Sequence, residues 1–182
     1  MYAELYVPDW LHTPGIDLSK VNEVLAGSWT EAATDYAAEW TARRSVGKKG
    51  PVGAQRHLNA VVERRFQAAG WGSYASTYTM GEFWFRVTFR HQMSAGSNFL
   101  EALKAVIRHG FDVAIIAAAT REFLEDISPA DAPALTSFEK LRTELDDLRG
   151  IVNVPIVVAS LQPVGELSDV TRNVISHPGR QR

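Results

Sequence analysis

The segment that surrounds residues 82 to 92 holds the side chains best suited to chemistry. An acid, Glu82, precedes a run of aromatic and β-branched residues, and the run ends in Arg90, His91 and Gln92. Two converging carboxylates can hold Mg²⁺, which activates a water molecule and stabilises a leaving oxygen. A guanidinium cannot bind a cation. Arg90 therefore argues against a complete magnesium site within this segment.

A basic block forms the second candidate site. Residues 43–65 carry seven Lys and Arg side chains and a single acid, a local charge of +6, whereas the whole chain has a net charge of −2. Such a block attracts phosphate groups even when the protein as a whole is not basic. The predicted phosphate-binding residues are Arg43, Arg44, Lys48 and Lys49. The alternative is a solvated helix face followed by an exposed loop.

Composition restricts the class of protein. The chain has 182 residues, 46% of them hydrophobic, which predicts one domain over residues 1–165 and a polar C-terminal tail over 166–182. The absence of cysteine excludes disulfides and cysteine zinc sites and favours a cytoplasmic location. No apolar run is long enough to cross a membrane, and the first residues do not resemble a signal peptide.

Periodicity predicts the elements that position these side chains. Alternating or continuous apolar runs predict strands over 83–89, 112–118 and 154–161, with a short strand around 74–78. Helical spacing predicts helices over 29–44, 54–69, 98–109 and 137–149. The predicted fold class is α/β, with a mixed central sheet flanked by helices and further helices N-terminal to it.

Several phrases in this order resemble type II restriction endonucleases of the BglII/BstYI type, within the PD-(D/E)XK nuclease superfamily. They are GPVGAQ at 50–55, FQAAGW at 66–71, the strand that ends at Gln92, the apolar strand 112–118 and NVPIVV at 153–158. The resemblance spans about residues 15 to 165. It implies a restriction-endonuclease-like fold and a homodimer that clamps double-stranded DNA and cuts it with Mg²⁺.

The resemblance also implies roles for individual residues. The family's catalytic strand carries an Asp at its start, then a Glu, one further residue and a Gln. Gln92 matches the last position, Glu82 stands near the first, and Arg90 occupies the place of the Glu. The predicted catalytic set is therefore Glu82, Arg90, Gln92 and Glu101, and Glu82 and Glu101 are the predicted metal ligands if the second acid has moved to the next helix.

Other residues near this strand have two interpretations. Glu63, on the helix before the strand, is a further candidate for a relocated acid. Glu101 has an alternative as an exposed acid paired with Lys104. The resemblance implies that the segment after the strand approaches the major groove, so Ser94, Ser97 and Asn98 are predicted to contact DNA with short polar side chains that can read base edges. For Ser97 or Asn98 the alternative is to cap a helix that begins near residue 99.

Three functions remain open from the sequence. The first is a double-stranded-DNA-binding protein whose metal site is degenerate at Arg90. The second is an active Mg²⁺-dependent endonuclease with a relocated carboxylate at Glu101 or Glu63. The third is a non-catalytic interaction or immunity protein on a nuclease fold.

Overall fold

Continuous apolar runs form the three central strands of the sheet. In the computed structural model, which describes residues 1–89, 91–165, 167 and 169–176, every residue of the strand Val113–Ala119 is buried. Apolar side chains on both faces of a strand require packed layers on both sides of the sheet. The strands are β1 Tyr2–Tyr6, β2 Gly72–Tyr74, β3 Thr77–Met80, β4 Phe83–Thr88, β5 Val113–Ala119 and β6 Ile156–Gln162.

Seven helices accompany these strands within the described residues. They are α1 Ser19–Leu25, α2 Ser28–Ser45, α3 Gln55–Ala68, α4 Ala95–His109, α5 Arg121–Ile127, α6 Phe138–Asp147 and α7 Asp169–Ser176. Short 3₁₀ turns follow at Gln92–Ser94 and Ala132–Ala134. None of the helices among the described residues is both long and apolar enough to cross a membrane.

The six strands form one mixed sheet in the order β1-β6-β5-β4-β3-β2. The central strands β4, β5 and β6 run parallel, whereas β1 and the β2–β3 hairpin add antiparallel edges. Alternate side chains face opposite layers: Phe85 and Ile115 pack with α1, α2, α3, α5 and α7. Trp84 and Ile116 pack with α4 and α6 on the other face. The predicted mixed sheet flanked by helices is confirmed.

An aromatic cluster attaches α3 to the hairpin edge of the sheet. The ring of Phe66 stacks on Tyr78 with centroids 4.1 Å apart, and it meets the edge of Trp71 at 5.1 Å. Phe85 of β4 lies 5.7 Å from the same ring. Burial of several large rings at one point stabilises the contact between helix and sheet strongly. The helix that carries three of the seven cations of the basic block is thereby held against the sheet.

The structure corrects several predicted elements. The single short strand expected around 74–78 is a hairpin, whose turn residues Ala75 and Ser76 have positive φ angles of 50° and 62°. Such angles suit a two-residue hairpin turn. α4 begins at Ala95, earlier than expected. Strand β1 was not predicted, and part of the predicted polar tail forms α7, where Val174 and Ile175 are buried in the core.

Candidate nucleic-acid interface

A trough with basic walls follows the C-terminal end of α2. Two adjoining concavities, of about 500 and 530 Å³, share Pro51 and Val52 as lining residues. We call them together the basic groove. Its lining side chains include the cations Arg43, Arg44, Lys49 and Arg56 and the apolar residues Trp40, Pro51 and Val52, with Asp131 opposite.

The loop that forms the floor of the groove is anchored at three points. Gly50 lies so close to the indole ring of Trp40 that a Cβ there would stand 2.3 Å from Cδ1. The hydroxyl of Tyr36 donates to the carbonyl of Pro51 at 3.2 Å. The backbone amide of Ala54 donates to the carbonyl of Ile127 at 2.7 Å. These contacts hold residues 50–54 in place between α2 and α5.

One acid neutralises part of the positive charge of the groove. The Glu39 carboxylate pairs with Arg43 at 2.7 Å, with Arg56, and with Nε2 of His57 at 3.0 Å. Desolvation opposes ionisation of Glu39, but the hydrogen bond and charge of Arg56 and the charge of Arg43 hold its pKa below the usual value. Glu39 therefore stays ionised and orders the two arginines along the rim.

The lysines of the groove remain available to a ligand. Lys48 and Lys49 are exposed and form no ion pair with any other described residue. The guanidinium of Arg44 lies 5.4 Å from the centre of the Trp40 ring, a cation–π distance. Arg43 and Arg56 keep 44% and 70% of their side chains exposed in spite of their ion pairs. This surface is thus positive on balance, since the four lining cations and the neighbouring Lys48 outnumber Glu39 and Asp131.

The basic block of the sequence is divided in the structure. Arg64 and Arg65 pair with Glu31 in the first turn of α2, and Arg65 also donates to the carbonyl of Ala26 at 2.6 Å. Glu31 and Arg43 are twelve residues apart on the same helix, about 18 Å at 1.5 Å per residue. Arg64 and Arg65 therefore brace α3 against α2 and do not belong to the groove.

The groove adjoins the end of β4, where the chemistry was predicted. Gln55, which lines the groove, donates from Nε2 to the carbonyl of Phe89 at 3.1 Å. His91 forms an isolated antiparallel bridge with Leu135. Arg90 lies outside the described residues, as does the side chain of Gln92, so the roles assigned to both stay predictions.

Glu82 lies at the opposite end of the same strand. The six extended residues of β4 separate it from the strand end, about 20 Å at 3.3 Å per residue. Its carbonyl accepts from the amide of Asp112 at 3.0 Å, and the residue lines a separate pocket of about 250 Å³ beside Asp17 and Lys20. The length of β4 thus separates Glu82 from Thr88 at the other end of the strand, and the predicted combination of Glu82 with Arg90 and Gln92 stays a prediction.

The predicted relocated acids are engaged elsewhere. Glu101 pairs with Lys104 at 2.8 Å on the exposed side of α4, and the hydrogen bond from Lys104 with the charges of Lys104 and Arg86 lowers its pKa. Glu63 accepts hydrogen bonds from Gln67 at 2.9 Å and from the hydroxyl of Ser73. Burial and the carboxylate of Glu63 raise the pKa of Tyr78. Both acids therefore serve local hydrogen-bond networks.

The described residues do not fit a magnesium site. No group of three or more His, Asp or Glu side chains within the described part of the chain is placed to hold a metal ion. Glu101 stands on the second turn of α4, which begins beyond the end of β4, whereas Glu82 precedes that strand. Glu101 pairs with Lys104 and Glu82 lines a separate pocket, and the metal-binding role assigned to both stays a prediction.

The predicted base-reading residues lie on α4 or at its start. Asn98 is fully buried, and its Nδ2 donates to the hydroxyl of Thr88 at 3.3 Å, so it ties α4 to β4 and cannot reach a base. Ser97 is exposed, and its hydroxyl donates to the carbonyl of Ser94 at 2.7 Å. Neither Ser97 nor Asn98 caps the helix: Ser94 holds the capping position and makes no side-chain capping bond.

Sequence reasoning missed the residues that shape the groove. Trp40 stands only within the predicted helix 29–44, and Gly50 and Gln55 only within the phrase GPVGAQ, so none of the three was predicted to shape a site. The spacing of Gly50, Pro51 and Gly53 was the available signal, because glycines often mark the close approach of two backbone segments. The partner that Gly50 approaches becomes visible only in three dimensions.

Comparisons with known proteins give partial structural matches. No family model matches the chain, and no curated protein matches it. Among solved structures, the chain is similar to the crystal structure of restriction endonuclease BglII complexed with a DNA 16-mer, at 15% sequence identity and a TM-score of 0.47. The match covers 59% of this chain and 55% of that one, so this chain spans just over half of the matched structure. A likeness of this extent carries no conclusion about function.

Proposed function

We propose that this chain binds double-stranded DNA through the basic groove and does so without metal-dependent cleavage. The observation that carries the proposal is the cluster of exposed cations around an anchored loop in a chain whose net charge is −2. Charge concentrated in this way on an otherwise slightly acidic protein favours a polyanionic ligand at that surface. A cytoplasmic location and a homodimeric state remain parts of the proposal.

The chemistry of the groove suits phosphodiester groups. Arg43 and Arg56 present planar guanidinium groups, which match phosphate oxygens in a two-pronged geometry. Lys48 and Lys49 add mobile point charges on the exposed side of the loop. Because the loop is already held by Trp40, Tyr36 and Ile127, little conformational entropy is lost when a phosphate binds.

The groove favours a duplex over a single strand. Proteins that bind single strands stack unpaired bases on exposed aromatic rings. Here the ring of Trp40 is only 9% exposed, since Gly50 packs on it and the guanidinium of Arg44 lies near it. The groove therefore offers cations to a backbone but no free aromatic platform to a base.

Cleavage is left out of the proposal because of where the carboxylates lie. A magnesium site of the predicted kind needs two carboxylates that converge on the ion. Glu82 lines a separate pocket, whereas Glu101 pairs with Lys104 and Glu63 accepts a hydrogen bond from Ser73. The first alternative is an active endonuclease with a relocated carboxylate, and a cleavage assay distinguishes it from DNA binding without cleavage. A non-catalytic protein-interaction role is the other alternative.

The salt dependence of binding tests the proposal directly. We expect a short labelled duplex to bind at low salt, measured by fluorescence anisotropy. Each neutralised phosphate contributes about 0.9 to the slope of log affinity against log salt. The double variant Lys48→Ala with Lys49→Ala should therefore reduce the magnitude of that slope by about 1.8, if each lysine contacts one phosphate.

A matched variant controls for total charge. Lys20→Ala with Lys140→Ala removes the same charge from exposed positions outside the groove, so it should leave the slope unchanged. A single strand of the same length should bind more weakly than the duplex. The proposal is wrong if no duplex binds at low salt, or if the two double variants lower the slope equally.

A further inference from the structure

A histidine adjoins the ion pairs of the basic groove. His57 stands on α3, next to Arg56 in the chain, and only 15% of its side chain is exposed. Its ring meets the ring of Tyr36 edge-on, with centroids 6.0 Å apart. The hydroxyl of Tyr36 holds the groove loop at the carbonyl of Pro51. A change in charge at His57 therefore takes place beside residues that line or hold the groove.

His57 and Arg56 share one oxygen of the Glu39 carboxylate. Nε2 of His57 lies 3.0 Å from Oε2, and Nη2 of Arg56 is paired with the same oxygen. Arg43 pairs with the other oxygen, Oε1, at 2.7 Å. In spite of the short distance, the buried Nε2 atom makes no aligned hydrogen bond with a described residue. The carboxylate therefore faces an imidazole nitrogen whose hydrogen-bonding capacity is unused.

Protonation of the imidazole converts this contact into an ion pair. Histidine side chains change charge between about pH 5 and 8, and both nitrogens of the protonated ring are donors. Glu39 keeps its negative charge over this range, because its pKa lies below its usual value of 4.5. Hydrogen bonds between charged groups are about twice as strong as those between neutral groups. The protonated ring of His57 therefore competes with Arg56 for Oε2 of Glu39.

Arg56 is the weaker competitor for this oxygen. Its side chain is 70% exposed, whereas that of His57 is 15% exposed. Water and salt screen an exposed ion pair much more than a partly buried one, so the pair with His57 gains more from its charge. The guanidinium of Arg56 lies at the surface of the groove and turns to a phosphate once the carboxylate is engaged by the imidazole.

The balance of charge changes in the same direction. The other charged or titratable groups nearby are Arg43 and Tyr36 on α2 and Asp131 across the groove. Arginine is always charged near neutral pH, and burial raises the pKa of Tyr36, so neither of these two changes charge in this range. Protonation of His57 thus raises the net charge of the carboxylate and its three basic partners from +1 to +2.

We propose that protonation of His57 strengthens the binding of DNA phosphates in the basic groove, because it releases the guanidinium of Arg56 from Glu39. The inference rests on the proposed function, since it concerns the same groove, and it adds a regulation of that groove by pH. The chain binds duplex DNA more tightly at pH 6 than at pH 8, and His57 accounts for the difference.

The pH dependence of duplex binding tests the inference. Fluorescence anisotropy with a labelled duplex compares affinities at pH 8 and pH 6 in 0.1 M salt. One further neutralised phosphate adds about 0.9 to the slope of log affinity against log salt, which corresponds to about eightfold tighter binding at this salt concentration. His57→Gln keeps a hydrogen-bond donor but gains no charge, so this difference should disappear. The other four histidines remain in the variant, so their contribution is subtracted.

A change at Glu39 tests the role of the shared carboxylate. Glu39→Gln holds neither arginine by charge, so its affinity at pH 8 should rise to about that of the wild type at pH 6, and its pH dependence should be smaller. Glu23→Gln removes an exposed carboxylate outside the groove and should keep the pH dependence of the wild type. Equal pH dependence in the wild type and His57→Gln, or an unchanged difference in Glu39→Gln, would overturn the inference.

A measurement without DNA separates the inference from the proposed function. In protein labelled with ¹³C at the arginine Cζ atoms, the signal of Arg56, identified by its loss in Arg56→Lys, reports the surroundings of the guanidinium. This signal should shift between pH 8 and pH 6 in the wild type and stay in place in His57→Gln. A signal that behaves alike in both proteins contradicts the inference even if duplex DNA binds. A shift in the wild type alone, with no duplex bound at either pH, refutes DNA binding and with it this regulation.

Discussion

The substitution Gly50→Ala tests whether the floor of the basic groove is held by the ring of Trp40. An alanine Cβ would lie 2.3 Å from Cδ1 and 2.4 Å from Nε1 of that ring. Ordinary contact begins near 3.4 Å, so the ring or the loop must move by about 1 Å. Gly50 does not have a left-handed backbone, and therefore the contact alone penalises alanine.

The expected cost follows from the behaviour of overpacked sites. Forcing one extra methyl group into a tight contact costs about 1–3 kcal/mol of unfolding free energy. For a chain of this size each kcal/mol lowers Tm by about 2–4 °C, so the decrease should be about 2 to 12 °C. Affinity for duplex DNA should fall as well, because Lys49 shifts with the loop although the charge of the groove is unchanged.

Scanning calorimetry and fluorescence anisotropy measure the two effects. Gly15→Ala is the matched control, because an added Cβ there would meet nothing within 4 Å and the residue lies outside the groove. We expect Gly15→Ala to keep both the Tm and the affinity of the wild type. If Gly50→Ala has the same Tm as Gly15→Ala and binds duplex DNA with wild-type affinity, the loop is not held by Trp40 and the reasoning is refuted.

Two further predictions concern acids. The hydrogen bond from Arg65 lowers the pKa of Glu31 from its ordinary 4.5, and the charges of Arg65 and Arg64 add to this against desolvation. The ionised form therefore stabilises the fold above pH 4.5, and this contribution is lost as the pH falls through the folded pKa. Urea unfolding of Glu31→Gln should show lower stability at pH 7 and a flatter acid dependence, unlike the exposed control Glu23→Gln. The second prediction concerns Mg²⁺, which should neither shift the Tm of the wild-type chain nor support plasmid cleavage. Mg²⁺-dependent cleavage that is abolished by Glu101→Ala would instead establish the alternative with a relocated acid.

The order of the elements was predictable because its signals are local. The strand at 83–89 alternates in sequence, and the strand at 112–118 is a continuous apolar run, so each reveals its burial without reference to the rest of the chain. Strand β1 was not predicted from the sequence because it is a short edge strand. It pairs with residues about 160 positions away, as the hydrogen bond between Tyr2 and Gln162 shows.

The candidate site was predictable only in part. The residue types of the basic groove were evident, since a run of cations is visible in any sequence. The division of that run into two groups was not evident from the sequence. Glu39 forms ion pairs with Arg43 and Arg56, whereas Glu31 forms ion pairs with Arg64 and Arg65. Which acid approaches which arginine depends on how α2 packs against α3.

The sequence by itself determined the mixed α/β class, the positions of the three central strands along the chain and the presence of a local excess of positive charge. Only the tertiary structure decided that Gly50 lies against the indole ring of Trp40. It also decided that Asn98 is buried against Thr88. The physical reason is that hydrophobic periodicity acts within one element, whereas convergence of carboxylates and exposure of polar groups depend on how distant elements pack.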